Sequence, residues 1–337
     1  MTSLTLATFG TILIDNIHRP DGSTERHLGG GALYAAIGAR VWLPPETIRL
    51  PTGCSRRGVP KTTTTTTFLD ELERFGGVMW AWDEDSEEAM LETEIVYTPG
   101  GARSFRYLNP RGGGGGLQPV ASWAHRAGYL HFCCSPTDLS ASLSTLPPSA
   151  PRPKIIYEPL PLACGPAHLS ALKSVLPLVD VFSPNHEELA SFFHDEEEEG
   201  ESIEALVSTY ARLGARTVVV RAGARGCFVA NMDPALGACA KRWLPPYWTD
   251  EASQNVRDTT GAGNSFLGGL CAGMAMALAG DDVFLGAAYG AVSASFVVQQ
   301  PGLPSLLFCS GEETWNGECP RWRLERYLSR GEYGWAR

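Results

Sequence analysis

The chain has 337 residues, of which 44% are hydrophobic, enough to bury one large core or two modest ones. Its formal net charge of −10 argues against the broad basic surface needed to bind nucleic acid or an anionic membrane. The nine cysteines show no C-x-x-C pair and no zinc-type spacing with histidine, so we expect a reducing, cytoplasmic setting.

The first third of the chain is rich in β-strand patterns. Residues 4–14 predict an opening strand, and three glycines at 29–31 lead into a helix-like run, ALYAAIGARVW. Two alternating runs, ETEIVYT and RSFRYL, flank Pro99-Gly100-Gly101 and predict a β-hairpin. We expect residues 11–28 and 91–108 to form a small β lid on a single domain spanning residues 1–337, with residues 306–337 as a C-terminal extension.

The second part of the chain alternates short apolar runs with helix-length segments. The runs lie at 129–134, 155–157, 179–182 and 217–220. This alternation is typical of a mostly parallel sheet covered on both faces, and it predicts an α/β fold. Residues 259–280 carry no charge, but the solidly apolar part, 266–279, is too short to span a bilayer and predicts a buried helix.

One glycine-rich turn has the form of an anion site. Gly261, Ala262 and Gly263 precede the apolar helix that starts at Ser265. The first N–H groups of a helix lack acceptors within the helix, and glycines let an oxyanion approach the backbone. Glycines at such a turn also serve helix packing, and the turn alone leaves both interpretations open.

The surrounding residues DTTGAGNSF, at 258–266, resemble the C-terminal signature of the ribokinase-like, PfkB-type carbohydrate kinases, which usually ends GAGD. Matching motifs occur in the same order between about residues 5 and 305: GTILIDNI at 10–17, HLGGGALYAA at 27–36, PNHEE at 184–188, VVVRAGARG at 218–226 and ASFVVQQPGLP at 294–304. GGGALYAA, IIYEPLP, PNHEE and GAGNSFLGG together resemble a fungal branch associated by name with killer-virus maintenance, in which Asn in this place is usual.

The resemblance implies a three-layer α/β/α sandwich with a β lid, and transfer of the ATP γ-phosphoryl group to a hydroxyl of a small sugar- or nucleoside-like acceptor, with Mg²⁺ and a monovalent cation such as K⁺. Pairing of lids would give a homodimer. The implied site residues are, for catalysis, Gly261, Ala262, Gly263 and Asn264; for the acceptor, Asp15, Gly29, Gly30 and Tyr34; for the nucleotide, Arg221, Gly223 and Gly226; and for metal ions, Asn185, Glu188 and Asp258.

Three residues depart from the family pattern. Asn264 replaces the carboxylate that accepts the proton of the acceptor hydroxyl, and an amide cannot hold that proton at neutral pH. Tyr34 stands where the family commonly has Asn, which indicates an altered or aromatic acceptor or a filled pocket. Arg221 stands where a small residue is usual, and both a phosphate contact and a surface salt bridge explain it.

Two functions remain open. The first is an atypical or slow phosphotransferase, in which Asp15 is a better candidate than Asp258 for the general base that is missing at Asn264. The second is an inactive pseudokinase that binds a nucleotide or small molecule and regulates or scaffolds. A dinucleotide-dependent oxidoreductase fails on spacing, because HLGGGALY lacks G-x-G-x-x-G.

Overall fold

The computed structural model describes residues 3–61, 67–98, 103–109, 120–147, 151–193, 202–277, 280–309 and 311–330. The strands are β1 (Leu6–Phe9), β2 (Leu13–His18), β3 (Thr24–Gly29), β4 (Ile48–Pro51), β5 (Trp80–Ala81), β6 (Leu91–Tyr97), β7 (Arg103–Tyr107), β8 (Tyr129–Cys134), β9 (Lys154–Pro159), β10 (Val181–Phe182), β11 (Thr217–Arg221), β12 (Cys227–Asn231), β13 (Ala240–Leu244), β14 (Leu306–Cys309) and β15 (Glu312–Trp315). The helices are α1 (Gly31–Arg40), α2 (Phe68–Gly76), α3 (Pro136–Thr145), α4 (Leu169–Val175), α5 (His186–Ser191), α6 (Ile203–Arg212), α7 (Ala262–Met276), α8 (Val283–Val297) and α9 (Pro320–Leu328).

The main sheet has nine strands in the order β13-β12-β11-β10-β9-β8-β1-β4-β5. The strands from β11 to β5 pair in parallel, and β12 and β13 add an antiparallel edge. Side chains alternate between two cores: Val219 packs in the core with α1, α7 and α8, and Val218 in the core with α3 to α6. The predicted α/β architecture, a mostly parallel sheet between two helix layers, is confirmed.

A second sheet of four strands has the order β3-β2-β6-β7. Its β2 and β6 pair in parallel, whereas β2–β3 and β6–β7 are antiparallel. The antiparallel pairing of β6 and β7 is the one predicted from the alternating runs, and the turn at Pro99-Gly100-Gly101 lies outside the described residues. We call this four-stranded sheet the lid sheet.

Helix α7 is held against α1 by close backbone contact. A Cβ on Gly268 would overlap the carbonyl oxygen of Ala35, and a Cβ on Gly38 would overlap that of Ser265. Only glycine permits this approach, which brings the start of α7 to the turn that precedes α1. None of the described helices is both long and apolar enough to cross a membrane.

The C-terminal segment adds the hairpin β14–β15 and helix α9. Arg323 of α9 is 2% exposed, and its guanidinium lies 3.7 Å from the ring centroid of Phe296 in α8. It also donates hydrogen bonds to Glu318 at 2.7 Å and to Ser295 at 2.9 Å. Because Ser295 also lines the cavity described below, α9 supports one wall of that cavity.

Candidate active site

The first turn of α7 lies at the carboxyl end of the parallel strands. Gly261 precedes it with a φ of 75°, in the left-handed region that favours glycine, and no side chain caps the helix. The N–H of Ala262 donates to the carbonyl of Thr259 at 3.2 Å, whereas those of Gly263 and Asn264 have neither an intrahelical acceptor nor a side-chain cap. In open α/β sheets this edge is where ligands bind.

Asn264 is anchored by a buried carboxylate. Its Nδ2 donates a hydrogen bond to Oε2 of Glu158 at 2.6 Å, and Glu158, near the end of β9, is 4% exposed. The ionised carboxylate only accepts hydrogen bonds, so the amide must turn Nδ2 towards it. The opposite atom, Oδ1, is thereby directed away from Glu158 and is available to a ligand hydroxyl.

Glu158 is surrounded by groups that favour its ionised form. Arg221 Nη1 lies 2.6 Å from its Oε1, and His131 Nε2 lies 3.4 Å from its Oε2. His131 is itself held by Thr8, whose hydroxyl lies 2.8 Å from Nδ1. Burial works to raise the pKa of Glu158, but Arg221, His131 and Asn264 together hold that pKa below its ordinary value.

Asn185 and Glu188 hold each other at the start of α5. Asn185 Oδ1 accepts the N–H groups of Glu187 at 2.9 Å and Glu188 at 2.8 Å, and Glu188 Oε2 accepts the N–H of Asn185 at 2.7 Å. This is a capping box. The same Oε2 lies 3.3 Å from Arg221 Nη2. Burial, against the opposing charge of Arg221, raises the pKa of Glu188 to about 7.

Four residues form a row across the lid sheet, because their backbones are in register: His27, Asp15, Thr93 and Tyr107. Thr93 donates a hydrogen bond from its hydroxyl to Asp15 Oδ1 at 2.5 Å, and a Cβ on Gly29 would overlap Asp15 Oδ2. Asp15 is 8% exposed and Thr93 is fully buried. The row therefore contains the carboxylate of Asp15 and, on the far side of Thr93, Tyr107.

Tyr34 and Arg221 both pack closely against the start of α7. A Cβ on Gly261 would overlap the ring of Tyr34, and a Cβ on Gly263 would overlap Nη1 of Arg221. Tyr34 is 3% exposed, and burial, with the charges of Asp15 and Asp258 adding, raises the pKa of its hydroxyl. Its ring therefore packs as a neutral aromatic group.

A cavity of about 630 Å³ opens beside Arg221. Its walls include residues of the β11–β12 loop, the first turn of α7 and the aromatic pair Tyr247 and Trp248. Such a volume and a largely apolar lining with a few polar groups are typical of a small-molecule site. The Gly223 and Gly226 of the predicted nucleotide loop both line it.

Comparison with known proteins decides the family. Residues 125–306, more than half of the chain, match the family model described as pfkB family carbohydrate kinase. The chain belongs to the pfkB family. The family resemblance seen in the sequence motifs is confirmed.

Relatives and solved structures agree with this assignment. Protein MAK32 of Saccharomyces cerevisiae is 25% identical over 362 residues, covering 97% of this chain and 93% of that protein, in keeping with the fungal branch indicated by the motifs. An uncharacterized protein of Schizosaccharomyces pombe is 29% identical, covering 95% and 91%. A structure of Arabidopsis thaliana ribokinase complexed with ribose and ATP superposes with a TM-score of 0.63 at 15% identity, covering 98% and 99%.

Several of the pfkB motifs meet around the start of α7, but not every predicted residue has a free functional group. Gly263 and Ala262 line the cavity together with Asn185 and Arg221, and Asn264 lies next to Gly31. Asp258 Oδ1 accepts the N–H of Thr260 at 2.8 Å. Gly30, with a φ of 105°, packs against Thr11 and forms the turn into α1. The roles of these residues stay predictions.

Two side chains central to the site were not singled out from the sequence, Glu158 and His131. Glu158 lies in the quoted run IIYEPLP, as a lone acid at the end of a buried apolar strand. A buried carboxylate requires a partner, and this is the signal that could have identified it. His131 follows the same rule inside β8, where it is fully buried.

Proposed function

We propose that this site transfers the γ-phosphoryl group of ATP to a hydroxyl of a small sugar- or nucleoside-like acceptor. One observation carries the proposal: the start of α7 lies between two sets of groups. Gly263 lies against Arg221 of the large cavity, and Gly261 lies against Tyr34, whose hydroxyl is affected by the charge of Asp15 in the lid row. A phosphoryl group in transfer needs this arrangement, with donor and acceptor on two sides of a group of N–H donors.

The donor side suits a nucleotide. Gly223 and Gly226 would let the phosphates approach the β11–β12 loop, and Tyr247 and Trp248 would offer apolar surface to the base. The N–H groups of α7 would stabilise the charge that develops on the transferring group. Membership of a carbohydrate kinase family and the likeness to a ribokinase complexed with ribose and ATP support this assignment.

The acceptor side would be formed by the lid row. Asp15 would accept the hydrogen bond of the attacking acceptor hydroxyl, and Asn264 Oδ1, fixed by Glu158, would accept one from a neighbouring hydroxyl of the acceptor. The hydroxyl oxygen forms a bond to the γ-phosphorus while the bond to the β,γ-bridging oxygen breaks, ADP leaves, and the hydroxyl proton passes to Asp15. Closure of the lid sheet would exclude water as a competing nucleophile. A homodimer formed through this sheet stays a prediction.

Asn185 and Glu188, as they are held in this structure, do not fit direct coordination of the Mg²⁺ that the family implies. Mg²⁺ requires oxygen ligands at 2.0–2.1 Å in near-octahedral geometry. Asn185 Oδ1 and Glu188 Oε2 are each engaged by two donors, and no group of three acidic, histidine or cysteine side chains in the described parts of the chain could hold a metal ion. We therefore assign no step to a metal ion at these residues.

The alternative is a pseudokinase that binds a nucleotide or small molecule without turnover. The tight packing of Tyr34 on Gly261 favours it, because a ring at the anion turn reduces the room for a transferring phosphoryl group. Asn264 favours it as well, since general base catalysis by a carboxylate contributes roughly 10²–10⁴-fold.

The test incubates the full chain with γ-labelled ATP and a panel of sugars and nucleosides, and measures label in the acceptor. Transfer to at least one acceptor is expected. If ADP raises the melting temperature but no acceptor is labelled, the pseudokinase is the correct function. If neither ATP nor ADP raises the melting temperature, the nucleotide binding that both functions assume is wrong.

A further inference from the structure

Arg221 is a buried cation inside the nucleotide cavity. Its side chain is 11% exposed, Nη1 lies 2.6 Å from Glu158, Nη2 lies 3.3 Å from Glu188, and Nη2 also donates to the Ser183 carbonyl at 3.0 Å. Its Nε is buried without a hydrogen-bond partner in the described structure. The guanidinium is therefore held in a fixed place rather than moving as a surface side chain would.

This guanidinium lies against the first turn of α7. A Cβ on Gly263 would overlap its Nη1, and both residues line the same cavity. A cation beside a helix N-terminus is opposed by the helix dipole, and the two carboxylates offset that opposition. An anion entering the cavity would meet the N–H groups of α7 and the guanidinium together, which makes the pair a site for phosphate oxygens.

A divalent cation has no equivalent place here. To reach Glu158 and Glu188 it would have to displace Arg221, or to lie beside the guanidinium and meet its positive charge. The amide oxygen of Asn185 is already engaged by two N–H groups of α5. Arg221 thus places one positive charge between the two carboxylates that a metal ion would otherwise bind.

We propose that Arg221 is the fixed cation of the nucleotide site, and that the phosphates of a nucleotide bind there without a divalent metal ion. The inference rests on the proposed function in taking the ligand to be a nucleotide. On this proposal nucleotide binding does not require a divalent metal ion, because the side chain of Arg221 supplies the positive charge that the metal ion would otherwise supply.

The test is a titration of the full chain with ADP, once with excess Mg²⁺ and once with EDTA. Tryptophan fluorescence, to which Trp248 in the cavity wall contributes, gives one readout, and calorimetry gives a second. For the wild type we expect binding in EDTA to be no weaker than in Mg²⁺. Arg221→Gln should weaken binding in EDTA by about 10- to 100-fold, the range for loss of a charge-assisted hydrogen bond.

Two further variants separate charge from folding. Arg225→Gln removes an exposed arginine of the same loop and should leave binding unchanged. Arg221→Gln combined with Glu188→Gln removes one charge of each sign, so it keeps the test possible where the single variant unfolds. Mg²⁺ alone should raise the melting temperature of Arg221→Gln, whose carboxylates have lost the positive charge of the guanidinium, and should not raise that of the wild type.

The outcomes distinguish this inference from the proposed function. ADP binding by the wild type that disappears in EDTA overturns the inference and leaves the proposed function standing. Metal-free binding that Arg221→Gln and the double variant do not weaken also overturns it. Absence of ADP binding under both conditions overturns the proposed function itself.

Discussion

Replacing Asn264 with Asp introduces the residue that usually ends the GAGD motif of the family. We expect this substitution to lower the stability of the protein. The new carboxylate would stand where Nδ2 now donates to Glu158 at 2.6 Å, so a hydrogen bond to a charged group is lost and a half-buried carboxylate faces a buried one. The bond is worth about 1.5–3 kcal/mol. Two like charges about 4 Å apart repel by about 4 kcal/mol at an effective dielectric constant near 20.

A proton bound by one of the two carboxylates removes the repulsion, so the loss of unfolding free energy depends on pH. Keeping a carboxyl of ordinary pKa near 4 protonated costs about 1.4 kcal/mol per pH unit above that value. The variant should therefore lose about 4 kcal/mol of unfolding free energy at pH 7 and about 1.4 kcal/mol at pH 5. Urea denaturation at the two pH values measures both losses.

The matched control exchanges the two groups. Glu158→Gln combined with Asn264→Asp again places one amide opposite one carboxylate, and it should recover most of the lost stability, which the single changes cannot do. We expect no gain in phosphoryl transfer from Asn264→Asp alone. A single variant as stable as the wild type at pH 7, or an exchange no more stable than the single variant, would refute the role given to Glu158.

Two other predictions concern charges next to the cavity. The pKa of Glu188 in the folded protein, about 7, lies above its ordinary 4.5, so its contribution to stability is complete below about pH 4.5 and is lost as pH rises towards 7. Wild type should therefore lose up to about 3 kcal/mol relative to Glu188→Gln between pH 5 and 8 in the same denaturation series. Arg323→Lys should cost about 2–4 kcal/mol, because lysine keeps the charge but not the planar fork that stacks on Phe296. Urea midpoints against the exposed Arg321→Lys check this, and equal midpoints would contradict it.

The sequence predicted the fold well because its signals are local. Short apolar runs, glycine turns and the order of the motifs need no knowledge of distant contacts, and the parallel sheet follows from them. The close approach of α7 to α1 at Gly268 and Gly38 was visible only in the structure.

The site was less predictable because its contacts are long-range. Glu158 and Arg221 are 63 positions apart, and the local sequence around either residue does not indicate that the two form an ion pair. The letters N-x-x-E at 185–188 fit both a metal-binding box and a capping box, and only the hydrogen bonds of α5 distinguish the two. The sequence could therefore single out these residues as candidates but could not say what they bind.

The most direct test of the account measures phosphoryl transfer by Asp15→Asn with an acceptor that the wild type labels. At saturating ATP, the account predicts a rate roughly 10²–10⁴-fold lower, with ADP affinity unchanged, because the proton acceptor is lost and the nucleotide cavity is not. Asn16→Ala, on the opposite face of the same strand, should transfer at the wild-type rate. Transfer by Asp15→Asn at the wild-type rate would contradict the account.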